Sequence, residues 1–304
     1  MKQNPVYKRE ARVSSRSMRL PLILTVFNGI LSVVALLNMY SVVSQVNATA
    51  TIQYSSFMDM YEFVAAIEFI LLMFIVPAVT AASISGERER QTLELMLTTQ
   101  MTPGQIVRGK LISALSTLLL LIMSSFPVIT MVFVFGGITG TDVVALLLCY
   151  IAVALFAGSL GICFSSALKR STLATVVTYS VLIAVVGGTY FLNQFVMRLS
   201  SSRMEDYVML YGAGRNAVQP TSGNFIYFLL LNPAATFYTI INGQAGSGKG
   251  TDVLCKAFGI VQRNWVLDNW IFLSILIQLA IAAVLLVLAI RFVNPVRGRK
   301  KNNG

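Results

Sequence analysis

Six stretches of this chain run uncharged for longer than the roughly 20 residues a helix needs to cross a bilayer. They are Pro21 to Val46, Leu111 to Thr141, Val143 to Leu168, Ser171 to Met197, Asn216 to Gly248 and Asn269 to Ile290. A seventh, Phe69 to Gly86, is shorter and reaches full length if Glu62 and Glu68 are admitted upstream of it. Only 12% of the residues are charged, where a soluble domain carries about 25%. Such a chain cannot cover itself with polar surface, so a polytopic all-α membrane protein is expected. A β-barrel is excluded, because barrels use short alternating segments rather than continuous apolar runs.

The net charge of +11 does not indicate a nucleic-acid partner. The basic residues collect at span ends, as the positive-inside rule requires, and no Lys/Arg stripe is interleaved with aromatics. Lys2, Lys8, Arg9, Arg12, Arg16 and Arg19 make 1–20 a basic cytoplasmic segment. It reads equally as a solvated tail or as an interfacial helix. The spans expected are about 21–44, 61–84, 111–135, 142–168, 172–196 and 269–290, with a basic cytoplasmic tail at 293–304. On this plan Arg88, Arg90, Arg108, Lys110, Lys169, Arg170, Arg291 and the tail all face inward. The outer basic residues fall in one segment, 197–268. Within it, 224–242 is apolar but broken by Asn232-Pro233. A full crossing there would put the basic C-terminus outside. A re-entrant hairpin keeps the parity and explains the break, since irregular backbone at membrane depth is tolerated only inside protein. Trp265, Trp270 and Tyr40 are expected as interface anchors.

Several chemistries lack their residues. The chain has no histidine and three cysteines, Cys149, Cys163 and Cys255, with no CxxC pair. That leaves neither a metal site nor a nucleophile-base pair. Gly243 to Gly250 approximates a phosphate-binding loop, but Gly250 stands where a Ser or Thr hydroxyl would hold Mg²⁺. Glu62 and Glu68, near the start of the second span, are candidates for a substrate or cation path. Asn28 and Asn38 in the first span and Gln278 in the last could bond between helices.

The most telling segment lies between the second and third spans, where Gly86-Glu87-Arg88-Glu89-Arg90-Gln91-Thr92-Leu93-Glu94-Leu95-Met96-Leu97 breaks the apolar pattern. Glu87 with Arg90, and Arg90 with Glu94, have helical spacing for ion pairs, and Leu93, Met96 and Leu97 share a face. An amphipathic helix of about 86–100 is expected, ending at Thr102-Pro103-Gly104. By itself it could be a mere connector.

With the Thr98-Thr99, Pro103, Ile106-Val107 and Gly109-Lys110 that follow, this block resembles the signature of ABC-2 type transporter permeases. That signature is roughly E-R-E-x-G-T-L-E-x-L-L-x-T-P followed by I-x-x-G-K. Gln91 stands where the family usually has glycine, and the proline comes later than usual. The resemblance implies a non-enzymatic permease subunit of an exporter in a cell membrane of bacterial type. The block would then be a coupling helix seated on a separate cytoplasmic ATPase, present in two copies. It also implies a second permease subunit, identical or homologous, and lipid neighbours. ATP and Mg²⁺ would sit on the ATPase, with no cofactor on this chain. The coupling contacts implied are Glu87, Arg88, Glu89, Arg90, Leu93, Glu94, Met96 and Leu97. The alternative is a secondary transporter or channel using Glu62 and Glu68. It would need internal repeats or more intramembrane charge, and the sequence has neither.

Overall fold

The computed structural model describes residues 7, 18–49, 55–98, 101–134, 138–211, 219–246 and 250–294. Apart from Tyr7 and 18–20, the basic N-terminal segment lies outside the described residues, as does the tail from 295 onward. The described residues form helices and connecting turns, without a strand among them. In chain order the first seven helices are α1 Arg19–Thr49, α2 Ser55–Ala81, α3 Ser85–Glu89, α4 Thr92–Thr98, α5 Pro103–Val134, α6 Gly140–Ala167 and α7 Ser171–Ile183. A π-helical turn, Ala184–Gly188, leads into α8 Thr189–Tyr211. A 3₁₀ helix Gly223–Leu231, α9 Pro233–Ala245, α10 Thr251–Ala257, α11 Trp265–Asp268 and α12 Trp270–Val293 complete the order.

Six helical stretches are long and apolar enough to cross a membrane: Pro21–Gln45, Tyr61–Glu89, Pro103–Pro127, Gly140–Ala167, Ser171–Leu210 and Trp270–Val293. The six expected spans are therefore present. The third and the fifth depart most from the expected bounds. The third begins at Pro103, where Thr102 and Gln105 close a capping box: Gln105 Oε1 accepts from the Thr102 amide at 3.0 Å, and the Gln105 amide donates to Thr102 Oγ1 at 3.3 Å. Pro103 then occupies the first helical position, where its missing N–H costs nothing. The fifth continues to Tyr211 instead of stopping near Val196. Charges from Arg198 onward end the apolar run but not the helix.

The chain divides into two compact units, 1–179 with 281–304, and 180–280. The first is built on the close approach of α2 and α6. Small residues of α6 permit it. A Cβ on Gly161 would overlap the Thr80 hydroxyl, and one on Gly158 would lie 3.0 Å from Leu111 Cδ1 and 3.3 Å from Val76 Cγ1. The Tyr150 hydroxyl donates to the Ala65 carbonyl at 2.7 Å, tying α6 to α2 again. α6 starts at a second capping box, Thr139 with Asp142.

The second unit centres on the break at Asn232. The 3₁₀ helix and α9 meet there at 98°. The Asn232 side chain makes the corner in two directions. Its Oδ1 accepts from the Ala234 amide at 2.9 Å, capping α9, while its Nδ2 donates to the Val186 carbonyl and to Thr189 Oγ1, both at 2.9 Å. A π turn widens the backbone and frees carbonyls, and Asn232 satisfies one of them. Gln278 bonds between helices as expected, donating to Thr236 Oγ1 at 2.8 Å, and Ser274 donates to the Leu230 carbonyl at 2.8 Å. Trp265 and Tyr40 are exposed, but Trp270 is not. It packs with Ile226, Leu229, Leu254 and Phe258 in the core of this unit. A tryptophan at a helix start reads as an interface anchor unless something folds over it, and here the 3₁₀ helix and α10 do.

Gly250 has a packing reason. A Cβ there would overlap the Thr239 carbonyl of α9, and its amide nitrogen is 3.4 Å from where a Gly243 Cβ would be. Close backbone approach accounts for the glycine at the end of the loop-like motif, Gly250.

Candidate functional site

The expected amphipathic helix is two short helices with a corner between them. α3 stops at Glu89 and α4 starts at Thr92. Gln91 at the corner has φ +58°, the left-handed region that non-glycine residues adopt at a cost of roughly 1–2 kcal/mol. The position where the resembling signature carries glycine is thus the position at which the backbone calls for one. The Thr92 hydroxyl donates to the Glu87 carbonyl at 3.1 Å and braces the turn.

The charges of the block divide: Glu87 and Arg88 are partly buried, whereas Glu89, Arg90 and Glu94 are exposed. Glu87 pairs with Lys110 of α5 at 2.8 Å, and these side chains are only 14% and 5% exposed. Arg88 donates to the Ser166 and Leu168 carbonyls at 3.0 and 3.3 Å, at the C-terminal end of α6. Glu89 accepts from the Ser171 amide at 2.9 Å and the Ser171 hydroxyl at 2.7 Å, at the first residue of α7. A cation thus sits on a helix C-terminus and an anion on a helix N-terminus, the favourable sense for both helix dipoles. The adjacent pair Arg88-Glu89 clasps the α6–α7 turn from both sides. The ion pairs expected along the block, Glu87 with Arg90 and Arg90 with Glu94, are not among those found for the described residues.

The joint with α2 is equally tight. The Ile84 and Ser85 amides both donate to Ser165 Oγ of α6, at 2.9 and 3.0 Å. Those donors sit where the backbone leaves α2 and would otherwise go unpaired in a buried place.

The apolar face also points inward. Leu93 is 4% exposed and packs with Ile84, Val107, Leu111, Ile162 and Ala289. Met96 is buried against Ile106, and Leu97 is half-buried beside both groups. Leu93 and Met96, expected among the coupling contacts, lie under the first helical turns of α5. Beyond Glu89, which is exposed but bonded to Ser171, the block's exposed ridge is Arg90, Gln91, Glu94, Leu95 and Thr98, with Leu95 67% exposed. Sequence reasoning missed Leu95, because it lies off the apolar stripe. That separation from the stripe is itself the signal that could have found it.

The other candidates are scattered. Glu62 is half-buried, and Glu68 is buried at the midpoint of α2, not near its end, because that helix begins at Ser55. Six residues apart, they lie on different faces of the helix. Asn28 donates to its own helix at Leu24 O, 2.9 Å, and the buried Asn38 Oδ1 has no hydrogen-bond partner. No group of three or more metal-ligating side chains occurs among the described residues.

The family model for an ABC-2 family transporter protein matches residues 5–295 of the chain. The search of curated proteins found no match.

Proposed function

We propose, from the premise that this chain belongs to the ABC-2 family of transporter proteins, that it is the membrane-spanning permease subunit of an exporter driven by a separate cytoplasmic ATPase. Membership makes it a membrane component of ABC-type transport. The finer reading concerns the partner, the direction and the site of coupling. With family membership in hand, the secondary-transporter alternative has no observation of its own.

The observation that supports the coupling role is the division of labour within the block. Glu87, Arg88 and Glu89 are committed to α5, α6 and α7, while Arg90, Gln91, Glu94, Leu95 and Thr98 face outward. A partner seated on the ridge would therefore pull on three helices at once, with no slack in the joint. A single exposed leucine ringed by opposite charges and polar groups is the usual composition of a docking knob: an apolar anchor with a rim that sets specificity. On this reading both termini are cytoplasmic, 223–245 is a re-entrant hairpin entering from the outer face, and ATP and Mg²⁺ belong to the ATPase. A second copy or homologue of this permease completes the path. Exposed apolar side chains such as Leu36, Leu37, Phe74, Phe126 and Phe272 meet lipid or that second subunit.

The test is co-purification. The chain, tagged and extracted in mild detergent, is expected to retain a soluble-type ATPase encoded beside it, and ATP hydrolysis is expected only when both are present. Reversing the ridge charges, Arg90→Glu with Glu94→Arg, should leave the permease inserted and lower retention. Hydrolysis by this chain alone, or retention unchanged by the reversal, would overturn the assignment.

A further inference from the structure

The π turn Ala184–Gly188 interrupts the fifth span, and its own residues give no reason for it to stay there. A π turn holds one residue more than the α turn it replaces, and it occurs inside helices mostly as a single turn at a functional place. Gly187 and Gly188 end it. Both are exposed, and a Cβ on either would meet nothing within 4 Å. The two glycines are therefore not making room for a neighbour. Their effect is on the backbone, which they leave easy to rearrange.

What holds the turn comes from outside it. Two buried asparagines stitch it to the broken hairpin from opposite sides. Asn232, at the hairpin corner, donates through Nδ2 to the Val186 carbonyl and to Thr189 Oγ1, both at 2.9 Å. Asn193, one turn into α8, donates through Nδ2 to the Thr189 carbonyl and to the Phe225 carbonyl of the 3₁₀ helix, both at 3.0 Å. The Val185 carbonyl accepts from Thr189 Oγ1 at 2.6 Å. The turn is thus fully bonded, but one turn beyond it Asn193 Oδ1 has no partner among the described residues. An orphaned buried acceptor is a standing cost, and a different register of α8 would relieve it.

We propose that Asn232 is a latch on the register of α8. With Asn232 engaged, the extra residue is held in the π turn. With it disengaged, the turn closes to an α turn, and α8 rotates by the angle of one residue, about 100°. Asn232 Oδ1 also caps α9 at the Ala234 amide, so one side chain links the register of α8 to the corner of the hairpin. Use of the latch in a transport cycle rests on the permease reading above. The two registers are a property of this chain alone.

The experiment uses the full chain in nanodiscs. The native cysteines are buried, so Phe195→Cys on α8 and Tyr238→Cys on α9, both at exposed positions, take spin labels, and double electron–electron resonance reads the distance between them. The parent is expected to give one distance. Asn232→Ser keeps an oxygen that can cap α9 but removes the Nδ2 donor. It is expected to add a second distance, displaced by up to about 8 Å, the chord of a 100° rotation at the helix surface. Deleting Gly188 removes the extra residue, so a plain α-helix then carries α8 in its parental phase. The parental distance is expected for the deletion, with or without Asn232→Ser. If Asn232→Ser melts cooperatively and keeps only the parental distance, the latch is overturned. Loss of cooperative melting in Asn232→Ser overturns it as well, because the contact would then be a foundation of the fold. So does a Gly188 deletion that shifts the distance or fails to fold. ATPase capture by the ridge is scored separately, so loss of either reading leaves the other standing.

Discussion

Leu93 and Leu95 are two residues apart and both lie in α4, yet the structure gives them opposite work. Truncating each to alanine separates fastening from docking. Leu93 is 4% exposed among Ile84, Val107, Leu111, Ile162 and Ala289. Its loss removes three buried carbons and leaves a cavity that two rigid transmembrane helices cannot close. Leu93→Ala should therefore cost about 2–5 kcal/mol of stability. Leu95 is 67% exposed, so Leu95→Ala should change stability by no more than about 0.5 kcal/mol. As the apolar anchor of the proposed ridge it should weaken ATPase capture by about 1–2 kcal/mol, which is roughly 5- to 30-fold in affinity. Heat-induced unfolding of the permease in nanodiscs reads the first quantity, and titration with the purified ATPase reads the second. Leu95→Ala is expected to melt like the parent and bind weakly. Leu93→Ala is expected to melt early and, measured well below its melting point, to bind near normally. The reverse pattern, with Leu93→Ala stable but unable to bind, would refute the inward orientation of α4.

Two further outcomes test the packing and the backbone. Gly161→Ala places a methyl against Thr80 and should destabilise the protein by about 1–3 kcal/mol. Adding Thr80→Ala should recover only part of this, because the Thr80 Cβ and the Ala81 amide nitrogen would still lie 2.9 and 3.1 Å from the new carbon. Full recovery in a melting assay would show that the hydroxyl alone sets the spacing. Gln91→Gly relieves a left-handed residue and should stabilise by about 0.5–1 kcal/mol after the added freedom of the unfolded chain is subtracted. Gln91→Val should melt below the parent; equal melting of Gly, Gln and Val would remove the strained corner.

The number and order of the spans were legible because five of the six exceed the bilayer's length requirement without a charge, and the second does so once Glu62 and Glu68 are admitted. The corner at Asn232-Pro233 was legible too, since proline forbids helix continuation and the flanking pieces are too short to cross separately. What could not be read was which surface covers which. Periodicity placed Leu93, Met96 and Leu97 on one side of a helix, but an apolar stripe says nothing about whether its cover is a partner or the same chain. The answer depended on α5 starting at Pro103, which brings Ile106 and Val107 beneath the stripe. The fifth span was cut short in the sequence because Arg198 ends its apolar run, although a helix leaving the membrane keeps its backbone bonds whatever its side chains are. Trp270 was misplaced for the same reason as Leu93: what covers it is the same chain, Ile226 and Leu229 of the 3₁₀ helix more than forty residues upstream together with Leu254 of α10.

The charged block then acquires a physical logic that its sequence hid. A run of alternating carboxylates and guanidinium groups beside a membrane looks like a surface meant for another molecule. Here, three consecutive charges meet three different helices of the same chain. Glu87 reaches Lys110 on α5, Arg88 the end of α6, and Glu89 the start of α7. Adjacent residues on a helix point about 100° apart, so three in a row are what it takes to address three neighbours around one short helix. A longer helix could not do this and also turn Leu95 outward, because its ridge would continue the direction of α3. The corner at Gln91 breaks that direction. It lets α3 serve as the clasp while α4, on the proposed coupling reading, serves as the lever, and the left-handed backbone at this one position is what the arrangement costs.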